Sequence, residues 1–201
     1  VVITSGTTDV TRNYDIIKKN GTLTVTKAAT ADPGKCKNLT YSGSDQTLAG
    51  GGKYVSYGNN TGKNATSYDV AVVPDSNHTF SDGTTSKTLT CSIGKRATTC
   101  TSGSKEGTYD GKALTNPSTG SCTNLVGTHR AAFSGHKGTI TNVGSTQNTF
   151  GSVIIIDKNN GTEVTANYNI TKANGTLKIN TRATTCTSGS GTKVWNGLAL
   201  T

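Results

Sequence analysis

Arg96-Ala97-Thr98-Thr99-Cys100-Thr101-Ser102-Gly103-Ser104 occurs a second time, unchanged, from Arg182 to Ser190. The copies lie 86 residues apart and stay in step without a gap, so that Tyr109-Asp110-Gly111-Lys112-Ala113-Leu114-Thr115 faces Trp195-Asn196-Gly197-Leu198-Ala199-Leu200-Thr201. A second repeat joins the start of the chain to its end. Val10-Thr11-Arg12-Asn13-Tyr14-Asp15-Ile16 matches Val164-Thr165-Ala166-Asn167-Tyr168-Asn169-Ile170, and Asn20-Gly21-Thr22-Leu23 matches Asn174-Gly175-Thr176-Leu177, at a spacing of 154. Fixed spacings of this kind mark an array of modules. The two spacings differ by 68 residues, which divides the chain into four pieces. Residues 1–27 are the C-terminal part of a large module, 28–95 a complete small module, 96–181 a complete large module, and 182–201 the N-terminal part of another large module. The chain is expected to be a stretch of a longer tandem protein, so the lack of a leader or anchor carries no weight. The two end pieces supply 47 of the 86 residues of a large module, so simple end-to-end completion of a whole module is not expected.

Composition agrees with thin modules. Only 31% of the 201 residues are hydrophobic and 5% aromatic, while Thr, Ser, Asn and Gly make up roughly half the chain. One large core is not expected; several small cores are, each near the size at which a domain needs extra support. Scarce Ala, Leu and Glu and abundant Thr and Gly exclude a helical bundle. The longest aliphatic run, Val153-Ile154-Ile155-Ile156, is far too short to span a bilayer. Net charge is +9, but the lysines are dispersed, which argues against a nucleic-acid surface.

Period-two alternation dominates. Tyr68–Val73, Lys87–Ile93, Gly175–Asn180 and Thr22–Thr26 read as strands, with others near Cys36–Tyr41, Gln46–Leu48 and Lys53–Tyr57. Asn160-Gly161 and Asn174-Gly175 read as two-residue hairpin turns. The expected architecture is all-β: small immunoglobulin-like sandwiches in tandem, with β-grasp-like modules as the alternative.

The order Thr101-Ser102-Gly103-Ser104, Tyr109-Asp110-Gly111-Lys112-Ala113-Leu114-Thr115, Gly138-Thr139-Ile140-Thr141-Asn142-Val143-Gly144, Asn167-Tyr168-Asn169-Ile170 and Asn174-Gly175-Thr176-Leu177 resembles the YDG/MBG-type repeats of bacterial surface adhesins. The small module, with Leu39-Thr40-Tyr41-Ser42-Gly43-Ser44-Asp45-Gln46-Thr47-Leu48 and Phe80-Ser81-Asp82-Gly83-Thr84-Thr85-Ser86-Lys87, resembles a shorter module of the same proteins. The resemblance implies a large, repetitive, wall-associated or secreted protein whose modules act as stalks. Trp195-Asn196-Gly197 departs from the Tyr-Asp-Gly triplet but keeps an aromatic and a turn former. Tyr109 and Trp195 are expected to pack on the thin core while Asp110-Gly111 and Asn196-Gly197 turn the chain.

The five cysteines sort by module. Cys36 and Cys91 lie near the two ends of the small module, and Cys100 and Cys122 in the first part of the large one, so the disulfides expected are Cys36–Cys91 and Cys100–Cys122. Cys186 repeats Cys100, and its partner is expected about 22 residues further on, past the end of this chain. Buried free thiols and a Cys91–Cys100 bond across the junction are the alternatives. Disulfides imply an oxidising, extracellular setting: cell surface or secreted.

No catalytic, cofactor or metal site is expected. His78, His129 and His136 accompany no nucleophile or zinc motif and read as surface or strand-edge residues; Glu106 and Glu163 fall at different ends of the large module. Asp157–Glu163 reads as a hairpin rather than a calcium loop, and in the repeat Asp157 aligns with Ile3 and Asn159 with Ser5. Asn38, Asn64, Asn77 and Asn169 open glycosylation triplets. The expected function is a non-catalytic stalk in a bacterial adhesin or extracellular fibre. Its partners are neighbouring modules of the same chain, with lateral association of rods through strand edges as a further expectation. A module that binds acidic glycans or mucins is the alternative.

Overall fold

A computed structural model describes residues 1–117 and 120–198. The protein is all-β, 45% strand and 3% helical, and its only helical turns among the described residues are Thr11–Asn13 and Thr165–Asn167, both 3-10.

The first 27 residues hold one small hairpin, β1 (Thr4–Ser5) with β2 (Thr8–Asp9), followed by the turn Thr11–Asn13. Residues 28–95 contain β3 (Ala28–Ala31), β4 (Lys35–Cys36), β5 (Leu39–Thr40), β6 (Gln46–Thr47), β7 (Ala49–Gly50), β8 (Val55–Gly58), β9 (Thr61–Gly62), β10 (Ser67–Pro74), β11 (His78–Phe80) and β12 (Lys87–Gly94). Their main sheet has four strands in the order β5-β12-β10-β8, and β3 pairs in parallel with β11. The alternation read in the sequence sets the faces. Val70 and Val72 of β10 and Cys91 and Ile93 of β12 point inward while their neighbours face water. Cys36 and Cys91 form a disulfide that ties β4 to β12.

Residues 96–181 contain β13 (Arg96–Ser102), β14 (Lys105–Thr108), β15 (Gly120–Cys122), β16 (His129–Ser134), β17 (Gly144–Asn148), β18 (Ser152–Asp157), β19 (Tyr168–Ala173) and β20 (Gly175–Asn180). Two three-stranded sheets, β15-β13-β19 and β14-β20-β17, are joined by one device. The opening segment, β13 then β14, runs parallel to the closing segment, β19 then β20, and both cross from one sheet to the other at the same level. A polar staple holds this corner. The Ser102 hydroxyl donates to the Asn148 carbonyl and accepts from the Gly175 N–H at 2.9 Å. The Asn148 amide donates to the carbonyls of Gly103 and Asn116 at 2.8 and 2.9 Å, and Ser104 Oγ accepts from the Thr176 N–H at 3.0 Å. Cys100 and Cys122, opposite each other on β13 and β15, form the second disulfide; Cys186 is a free, exposed thiol. The two intramolecular disulfides point to an oxidising, extracellular environment.

The structure corrects several readings. Asn174-Gly175 is not a hairpin turn, because β19 and β20 lie in different sheets. Glycine stands there because a Cβ would run into the Ser102 carbonyl. Around Asn160-Gly161 only Gly161 has positive φ (+74°), and a longer turn closes through Asp157, whose carboxylate accepts from the Asn159 N–H at 3.0 Å. Thr22–Thr26 alternates but enters no ladder, since the neighbours that sandwich its counterpart β20 have no equivalents beside it. The repeat also aligns differently at its start. Ile3 N–H donates to Thr11 Oγ1 and Val10 N–H to the Ile3 carbonyl, both at 2.8 Å. Ile155 makes the same bonds with Thr165 and Val164, at 2.9 and 2.8 Å. Ile3 therefore corresponds to Ile155, not Asp157, with a turn two residues shorter in the first copy.

Candidate functional site at the module junction

A single residue, Lys95, separates β12 of the small module from β13 of the large one. Around it one hydrophobic core runs across the boundary. Tyr41, Leu48, Ala49, Val70, Cys91 and Ile93 come from the small module and Ile155 and Tyr168 from the large, with Val126 and Ile170 packed against them. Its centre is aromatic. The Tyr41 and Tyr168 rings meet edge to face at 5.5 Å, and His129 lies 6.0 Å from Tyr41 and 5.8 Å from Tyr168.

Polar groups at this boundary pair across it. The Ala65 N–H of the small module donates to Asn167 Oδ1 at 2.7 Å, and Asn167 Nδ2 donates to Asn64 Oδ1 at 3.3 Å. Asn167 sits there because the 3-10 turn Thr165–Asn167 ends where β19 begins. The Arg96 guanidinium donates from Nε and Nη2 to the Asn124 carbonyl and Oδ1 at 2.7 and 2.8 Å, and from Nη1 to the Tyr41 carbonyl at 3.4 Å. Gly43, at φ +82°, admits Val126 so closely that a Cβ there would lie 2.8 Å from its methyl.

The Tyr168 hydroxyl accepts from the Val126 N–H at 3.1 Å and lies 2.6 Å from His129 Nδ1. Either neutral tautomer satisfies this contact, Nδ1 accepting the hydroxyl proton or Nδ1–H donating to the second lone pair of the phenol oxygen. Burial lowers the His129 pKa and raises those of Tyr41 and Tyr168, so all three stay uncharged at neutral pH. His129 is thus a buried junction residue; of its surface or strand-edge reading the surface part is corrected, while it does begin β16, which pairs on one side only, with β18.

The repeat-motif residues lie elsewhere. Tyr109 is 40% exposed and Trp195 83% exposed, so neither ring packs into a core as expected. Tyr109 leaves β14 at its outer end, where its N–H donates to the Asn180 carbonyl at 2.9 Å, and Trp195 enters no ladder. The turns themselves form. Gly111 and Gly197 have positive φ (+81° and +84°), with Asp110 and Asn196 capping the N–H two residues on at 2.9 and 3.2 Å. Ala199–Thr201 lies outside the described residues.

Glu106 pairs with Lys178 at 2.9 Å on the surface, where its bonds to Asn180 and Lys178 hold its pKa down. Among the described residues no three His, Cys, Asp or Glu are grouped to hold a metal, and no helix is long and apolar enough to cross a membrane. Sequence reasoning missed Arg96, Asn167 and His129 as a set. The signal was present in the repeat, which keeps Asn-Tyr at 13–14 and Arg at 182. The junction joins residues 28–94 to residues 96–181 through one apolar core and the hydrogen bonds of Asn167 and Arg96. In comparisons with family models, curated proteins and solved structures, none matches this chain.

Proposed function

We propose that this chain is a run of stiff, non-catalytic spacer modules of a long extracellular fibre or cell-surface adhesin of the YDG/MBG type. The observation that carries the reading is the core shared across Lys95. A bead-like array needs slack between modules, whereas a shared core removes it and transmits load. The dispersed charge, the hydroxyl-rich surface and the two disulfides support an extracellular stalk. Each module is read as a small immunoglobulin-like sandwich. Its competitor, a β-grasp, requires a helix across the sheet, and the described residues contain only two three-residue turns of 3-10 helix.

Single-molecule extension tests the proposal. The oxidised chain is expected to resist stretching until a module opens. The loop of 55 residues closed by Cys36–Cys91 is expected to add its ~180–200 Å only after reduction. Free extension of the oxidised chain at low force would refute the spacer reading.

A further inference from the structure

We infer that the cleft between β14 and residues 110–114 binds an acidic sugar unit, the carboxylate of a hexuronic or sialic acid held between Lys105 and Lys112. The inference does not rest on the spacer reading, which needs no ligand.

The local sequence makes the cleft. Tyr109 extends the β14 ladder by one bond, its N–H donating to the Asn180 carbonyl. The chain then turns: Asp110 Oδ1 accepts from the Lys112 N–H at 2.9 Å, and Gly111 takes positive φ (+81°). Leu114 exchanges backbone hydrogen bonds with Ile140, at 2.8 and 3.2 Å, in a single bridge. Residues 110–114 are thus held near β14 without pairing with it, since β14 pairs only with β20. Between them lies a cleft of about 240 Å³. Gly107 helps to keep it open, because a Cβ there would already stand 3.7 Å from Leu114 Cδ1.

Two chemistries meet in the lining. Leu114 and Ile179 supply apolar surface, while Lys105 and Lys112 bring ammonium groups and Asp110 a carboxylate. A sugar ring needs this mixture, since it has apolar C–H faces and a rim of hydroxyls. The volume falls below the roughly 300 Å³ at which clefts for drug-sized ligands begin, which suits one ring unit. Two ammonium groups against one carboxylate leave the cleft net positive, so an acidic ring is favoured over a neutral one, and Asp110 can accept from its hydroxyls. The lysines are available for this. Lys178 nearby is paired with Glu106 at 2.9 Å, whereas no ion pair among the described residues involves Lys105 or Lys112.

The repeat separates what the turn needs from what a ligand would meet. Gly111, Ala113 and Leu114 recur as Gly197, Ala199 and Leu200. The turn recurs too, with Gly197 at φ +84° and Asn196 Oδ1 accepting from the Leu198 N–H at 3.2 Å. Lys105, Asp110 and Lys112 do not recur: Gly191, Asn196 and Leu198 stand in their places, and Lys193 stands in that of Gly107. The same turn therefore forms without the three charges, and they are free to serve a ligand in this module.

The test titrates the full oxidised chain with trigalacturonic acid and, separately, with sialyllactose, and follows backbone amides by NMR. At least one of the two acids is expected to give saturable shifts centred on Lys105, Gly107 and Lys112, and the pair tells a hexuronic from a sialic ligand. The methyl ester of trigalacturonic acid, or lactose in place of sialyllactose, is expected to bind about tenfold more weakly or worse, the loss of a charge-assisted hydrogen bond. Lys112→Leu, which installs the residue of the repeat, is expected to weaken binding of the acid by about tenfold with circular dichroism unchanged. Lys35→Leu, which removes the same charge from β4 of the small module, is expected to leave binding unchanged. No saturable shift with either acid, shifts centred away from the cleft, equal binding of the uncharged form, or equal weakening by Lys35→Leu would each overturn the inference.

Discussion

Replacing Tyr41 and Tyr168 by Leu, singly and together, measures whether the two modules are energetically one. Both rings are almost fully buried, and they meet edge to face at 5.5 Å although one belongs to each module. Leu keeps an aliphatic side chain in the core but removes the ring and its hydroxyl contacts. Each single change is expected to cost about 2–3 kcal/mol, the upper part of the range for core substitutions. Tyr168→Leu should lie at the higher end because it also strips the Val126 N–H and His129 of their partner. The double variant should lose less than the sum, because the edge-to-face contact is deleted once rather than twice. The expected difference is about 0.5–1.5 kcal/mol. Urea titration of the oxidised protein, followed by circular dichroism, reads all four free energies. Additivity within about 0.3 kcal/mol would mean that the rings touch without coupling the modules, and the shared-core reasoning would fail.

Asn167→Ala should cost about 1–3 kcal/mol because the Ala65 N–H loses its acceptor, while Asn13→Ala, at the exposed repeat position, should change the urea midpoint little. Loss of the Cys36–Cys91 bond in a double Ala variant should remove about 4 kcal/mol and loss of Cys100–Cys122 about 3.4 kcal/mol, from loop separations of 55 and 22 residues; thermal melts of the variants check the order. Stability should fall as pH drops from 7 to 5. Burial lowers the His129 pKa, so below about pH 6.5 the unfolded chain takes up a proton that the folded one resists, at no more than about 1.4 kcal/mol per pH unit. His129→Gln should flatten that part of the urea-midpoint profile; an unchanged slope would assign it to another group.

The all-β class was legible in the composition, and period-two alternation found β10, β12 and β20, where one face is buried and the other wet. The failures share a cause, which is that local signals do not state which element lies alongside. Asn174-Gly175 has the composition of a hairpin, yet its glycine answers the approach of the Ser102 carbonyl from a strand some seventy residues away. Thr22–Thr26 has the alternation of β20 but none of its flanking strands. Neither a place in the repeat motif nor the lack of a catalytic motif sets burial: Tyr109 is 40% exposed while His129, at the start of β16, is buried. The Tyr168 hydroxyl, by satisfying the imidazole, is what permits its burial.

The central claim, that Lys95 joins two modules into one stiff body, is tested most directly by residual dipolar couplings of backbone amides in the oxidised, weakly aligned protein. The small module, residues 28–94, and the large module, residues 96–181, should fit one common alignment tensor with the inter-module orientation of this structure. Two tensors of clearly different magnitude would show independent reorientation about Lys95 and would contradict the account.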